Sequence, residues 1–140
     1  MAIGVRFLQL LKPQTLEEQR AQRAYMAQVH RVSERICRVF DDWNAQREIE
    51  EDDQRLANKA AVNRWELMVL ARETEEFVAP RSMLTIQRNL DTALKNAARA
   101  CQLLASGYRS HKAHAVCDGQ ALLIEVVGNV NALAAQLQTR

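Results

Sequence analysis

Residues 15–43, TLEEQRAQRAYMAQVHRVSERICRVFDDW, decide the fold class. They belong to a run from Gln14 to Ala79 that contains neither Gly nor Pro, the two residues that most often interrupt a helix. Inside it Tyr25, Val29, Val32, Ile36, Val39, Phe40 and Trp43 follow alternating steps of three and four, the apolar stripe that one helix presents to its neighbours. Thr15 and Glu18 are spaced as a capping box, in which the hydroxyl accepts from the Glu18 amide and the carboxylate accepts from the Thr15 amide. A first helix over 15–43 follows.

Carried forward in the same phase, the stripe would place Gln46 or Arg47, Glu50 and Asp53 in the core, so a turn is expected within 43–53. The acidic run Glu48, Glu50, Glu51, Asp52, Asp53 suits the first turns of a second helix, where negative charge meets the positive end of the dipole. The seam resumes in a new phase at Leu56, Ala60, Asn63, Leu67, Leu70, Thr74 and Phe77 and stops at Pro80. The rival is one helix over 15–79, about 95 Å long, which would require an extended coiled coil.

Ser82 is the expected N-cap of a third helix with the seam Leu90, Leu94, Ala97, Cys101, Leu104, Tyr108, and Gly107 marks its expected end. A fourth helix carries Val116, Gln120, Leu123, Val127, Val130, Ala134 and Leu137. Its segment ALLIEVV, 121–127, has the composition of a buried strand but no strand to pair with. Gly119 and Gly128 each weaken this helix by about 1 kcal/mol relative to Ala, which suggests that both admit a close neighbour. Asn63 and Gln120 sit in apolar seams and each needs a hydrogen-bond partner.

At 140 residues, rich in helix formers and poor in Gly and Pro, the chain reads as one all-α domain over 1–140. The expected architecture is an antiparallel up-down-up-down four-helix bundle with a short N-terminal amphipathic arm. The arm is the apolar stripe Ile3, Phe7, Leu10, Leu11, ended by Lys12-Pro13. Three cysteines are an odd number without framework spacing, and the N-terminal run is too interrupted for a signal peptide. With no segment read as a membrane span, the expectation is a soluble cytoplasmic protein.

Formal net charge is +2, but residues 1–40 carry 7 basic and 3 acidic groups, 41–80 carry 5 and 11, and 81–140 carry 7 and 3, or +4, −6 and +4. Such segregation sets helix neighbours or steers self-association, and a nucleic-acid domain would be more one-sided. On a helical wheel Arg20, Arg31, Arg35 and Arg38 fall within about 60° of one another with Arg23 at the edge, a guanidinium row suited to a polyanion such as nucleic acid. No aromatics interleave with it for base stacking.

His111, His114 and Cys117 are spaced by three, and a helical hairpin about Arg109 would bring Cys101 level with Cys117, giving candidate zinc ligands. Glu48 with Glu51, and Glu73 with Glu76, resemble the paired ExxE elements of all-α nucleotide pyrophosphohydrolases of the MazG type, which hold magnesium between facing helices. The resemblance covers four residues, and its second pair characteristically ends in Asp where this chain has Glu76. The helix assignment puts both pairs on one helix, about 37 Å apart, too far to share a metal.

No cofactor is implied, and no convergent catalytic set appears. The leading expectation is a noncatalytic module that forms a homo-oligomer or binds a partner protein through Ile3, Phe7, Leu10 and Leu11 together with Trp43 or Trp65. A polyanion-binding module using the arginine row is the alternative.

Overall fold

The computed structural model describes residues 14–138, which form four α-helices packed on one another and, among the described residues, no strand. The helices are α1, Leu16–Ile49; α2, Asp53–Glu75; α3, Leu84–Arg109; and α4, Ala113–Gln138. The arm residues Ile3, Phe7, Leu10 and Leu11 lie outside the described residues.

The expected capping box opens α1. The Glu18 amide donates to Thr15 Oγ1 at 3.1 Å, and the Thr15 amide donates to Glu18 Oε2 at 3.3 Å. The helix runs six residues beyond Trp43 because residues 44–49 include good helix formers, while its buried stripe ends at Trp43. The turn at residues 50–52 falls inside the expected window and excludes a single helix over 15–79. The acidic run is divided by that turn. Glu48 closes α1 and Glu50 caps it, so only Asp52 and Asp53 serve the start of α2, where Asp52 Oδ1 accepts from the Gln54 amide at 2.9 Å.

Three further expectations are corrected. The α2 helix ends at Glu75, leaving Phe77 half-buried in the connection, and Ser82 sits inside a 3₁₀ turn, Arg81–Met83, instead of capping α3. Gly107 does not end α3. The helix continues to Arg109, and the chain then turns at His111, whose φ of 53° is left-handed, while the Lys112 amide donates back to the Gly107 carbonyl at 2.8 Å. This is the long bond of a Schellman-type end with a histidine at the position glycine usually holds. Gly107 is needed for contact: a Cβ there would lie 2.8 Å from Val116 Cγ2.

The two glycines of α4 separate. A Cβ on Gly119 would come within 2.8 Å of Leu104 Cγ and 3.0 Å of the Ala100 carbonyl oxygen, so Gly119 admits α3 as expected. Gly128 faces open space, which overturns its packing role. The buried stripe of α4 is Gly119, Leu123, Val126, Val130, Leu133 and Leu137, turned from the expected seam toward α3, and residues 121–127 are helical.

Side-chain size sets how the helices meet. Small residues such as Ala57, Ala60, Ala97 and Ala100 let α3 approach α2 and α4 closely, whereas α1 meets both α2 and α4 across wider seams filled by Tyr25, Ile36, Phe40 and Trp43. Two polar relays anchor the ends of the α1 stripe. Tyr25 Oη donates to Gln87 Oε1 at 2.6 Å, and Gln87 Nε2 donates to the Thr74 carbonyl at 3.0 Å. At the other end Trp43 Nε1 donates to Gln120 Oε1 at 3.3 Å, and Gln120 Nε2 donates to Asn44 Oδ1 at 3.4 Å. Gln120 thus finds the partners its core position demanded, but the buried Asn63 Nδ2 has none in the described structure.

Candidate interaction surface

The wide seams of α1 leave grooves on both of its flanks. On the α2 side, one groove of about 240 Å³ is lined by Arg35, Arg38, Val39, Asp42, Trp65, Glu66, Val69 and Leu70. Further along the same seam a second, of about 180 Å³, is lined by Gln28, Arg31, Val32, Arg35, Glu73 and Phe77. The arginine row therefore supplies, through Arg31, Arg35 and Arg38 and not through Arg20 or Arg23, one wall of a helix–helix groove. Its residues are all exposed, and Arg35 Nη1 already donates to Glu73 Oε2 across the seam at 3.0 Å.

Trp65 stands on the opposite wall. It lies nine residues from both Leu56 and Thr74, each buried, and nine residues of α-helix turn about 180°. Trp65 accordingly points away from the core and is 66% exposed. Val62 and Met68 flank it on the same exposed side of α2. Trp43, the other expected anchor, is 1% exposed and packs against Tyr108 with ring centroids 5.9 Å apart, so it belongs to the core. The expected lack of aromatics beside the arginines does not hold in space, since Trp65 comes from α2.

On the α4 side, a groove of about 430 Å³ is lined by His30, Ser33, Glu34, Cys37, Arg38, Asp41 and, from α4, Val130, Asn131 and Ala134. His30 Nε2 lies 3.0 Å from Glu34 Oε1. Cys37 is not an activated nucleophile, because burial and then the Asp41 carboxylate push its thiol up. The Ser33 hydroxyl oxygen is out of contact with solvent and has no hydrogen-bond partner, so it does not present itself to the groove.

The candidate zinc ligands do not converge. Cys101 is buried in the α3 stripe, where desolvation pushes its thiol up to about 12, while His111, His114 and Cys117 are exposed. His111 pairs through Nδ1 with Asp53 Oδ2 at 2.9 Å. Among the described residues, no group of three or more His, Cys, Asp or Glu side chains is placed to hold a metal ion. The ExxE pairs fail on the same ground. Glu48 and Glu51 lie around the α1–α2 turn and Glu73 and Glu76 at the far end of α2, a helix of 23 residues spanning about 34 Å.

One other surface is unusual. By length and composition α4 is apolar enough to cross a bilayer, contrary to the expectation that nothing approached a span. Its hydropathy averages the inner stripe with an outer face that includes Ala121, Gly128, Ala132 and a 68% exposed Ile124. No known protein family, no curated protein and no solved structure matches this chain.

Proposed function

We propose that this chain is a noncatalytic helical interaction module, an antiparallel up-down-up-down bundle that binds another polypeptide through the α1/α2 face around Trp65. Paired ends support the antiparallel course. Near the start of α1, Gln22 Nε2 donates to Ser82 Oγ and Tyr25 reaches Gln87, which in turn holds Thr74 near the end of α2. At the opposite end Trp43 meets Gln120 near the start of α4, and Asp53 meets His111.

The observation that carries the binding reading is the outward Trp65 set between exposed Val62 and Met68 and facing the arginine wall. Tryptophan and arginine are the residues most enriched among those that dominate binding energy at protein interfaces. The groove is mixed in charge, because Asp42, Glu66 and Glu73 share it with the arginines, and this favours a protein over a polyanion.

Replacing Trp65 with a photo-crosslinking amino acid in the full chain, then irradiating cells that produce it, tests the reading. Position 65 should yield a crosslinked polypeptide, and exposed Gln102 on α3 should not. Absence of a product at 65, or equal labelling at both positions, removes the reading.

A further inference from the structure

Resting on that reading, we infer that the polypeptide bound by the α1/α2 face is a second copy of this chain, joined about a two-fold axis running along the groove. The groove has unlike walls. From α1 come Arg31, Arg35 and Arg38, with Asp42 at one end, and from α2 come Glu66, Glu73 and the outward Trp65. Rotation by 180° about an axis parallel to the groove lays the basic wall of each copy on the acidic wall of the other. It also sets Trp65 of each copy toward the guanidinium row of its mate, where a cation can lie over the indole face. An in-plane axis across the groove would instead set like walls against each other. The surface is therefore self-complementary in one register, as an isologous dimer requires, and like-charge contact suppresses the alternative.

The Arg35 to Glu73 bridge fits this arrangement. Both side chains are about half exposed, at 49% and 50%, so each keeps donor or acceptor capacity for the equivalent pair of the second copy. Exposed Arg72, one turn beyond Met68 on the outer side of α2, is one of four cations on that helix, balanced by four carboxylates, of which only Glu66 and Glu73 line the groove. It lies outside the groove lining, so the contrast between the two walls stands.

Sedimentation velocity on the purified full chain tests the inference with two wall-reversed variants. Arg31→Glu with Arg38→Glu makes both walls acidic, and Glu66→Arg with Glu73→Arg makes both basic. Wild type should sediment at twice 15.9 kDa, each variant alone as a monomer with association at least tenfold weaker, and a 1:1 mixture as a heterodimer. Circular dichroism should show both variants as helical as the wild type, and Trp65→Ser, which leaves the charges intact, should also yield monomer. A monomeric wild type, a dimer indifferent to wall reversal, or a mixture that stays monomeric overturns the inference. If crosslinking at position 65 meanwhile captures a different protein, the second-copy inference falls while the interaction module stands.

Discussion

Trp43 and Trp65 are the same side chain on two helices that pack together, yet among the described residues one is the largest that is fully buried and the other is among the most exposed apolar groups. The difference is phase. Trp43 continues the three-and-four stripe that begins at Tyr25, so its indole is carried into the core and its N–H finds Gln120. Trp65 is half a turn out of phase with Leu56 and Thr74 and is carried to solvent. An aromatic residue in a helical protein is thus informative through its position on the wheel, and an out-of-phase tryptophan has no folding role to account for it.

The largest expected effect comes from erasing the inner member. Trp43→Ala removes a buried ring, its contact with Tyr108 and its bond to Gln120, and should destabilise the fold by about 3 to 5 kcal/mol. Urea unfolding at constant m-value measures it. A loss below about 1 kcal/mol would place Trp43 in a site that collapses freely and would dissolve the contrast.

Helix α4 repeats the inner and outer comparison with its glycines, at intermediate size. Gly119→Ala drives a methyl into Leu104 and the Ala100 carbonyl, and should cost about 1 to 3 kcal/mol as overpacking. Gly128→Ala meets nothing and should stabilise by up to about 1 kcal/mol through helix propensity. Opposite signs in the same thermal-unfolding experiment sharpen the inner and outer assignment. A gain at Gly119 would show that α3 and α4 can separate without loss.

These pairs also show which features were legible in the sequence. The stripe of α1, its capping box and the α1–α2 turn could be read because periodicity and caps are local. Periodicity alone misphases the α4 seam, since half-buried Val116, Leu122 and Val127 and exposed Ala121, Ile124 and Ala132 spread apolar residues beyond the buried stripe and leave the wheel without a strong contrast to orient it. Gly119 and Gly128 look identical in sequence because the neighbour that distinguishes them, Leu104, is fifteen residues away from one and far from the other in space. The arginine row was legible as a row. Its opposition to Trp65 was not, because that depends on how far bulky seams hold α1 from α2. The proposed zinc set failed for a related reason: spacing of three predicts a shared face only inside a helix, and α4 starts at Ala113, after His111.

The smallest expected effect on folding belongs to the outer tryptophan, and it is the most discriminating. Trp65→Phe should change monomer stability by no more than about 0.5 kcal/mol, because an exposed residue loses little on truncation. It leaves Trp43 as the sole tryptophan, whose emission, excited beyond the tyrosine absorption band, should resist collisional quenching by acrylamide. The reciprocal Trp43→Phe chain reports Trp65 alone. At low protein concentration its emission should be readily quenched, and quenching should weaken as concentration rises and the α1/α2 face becomes covered by a second copy. Trp43 emission should show no such concentration dependence, since its burial comes from the fold itself. Equal quenching of the two at every concentration would mean that the inner and outer positions are not distinct in solution. Persistent quenching of Trp65 alone would keep the positions distinct and leave the face uncovered by its own kind.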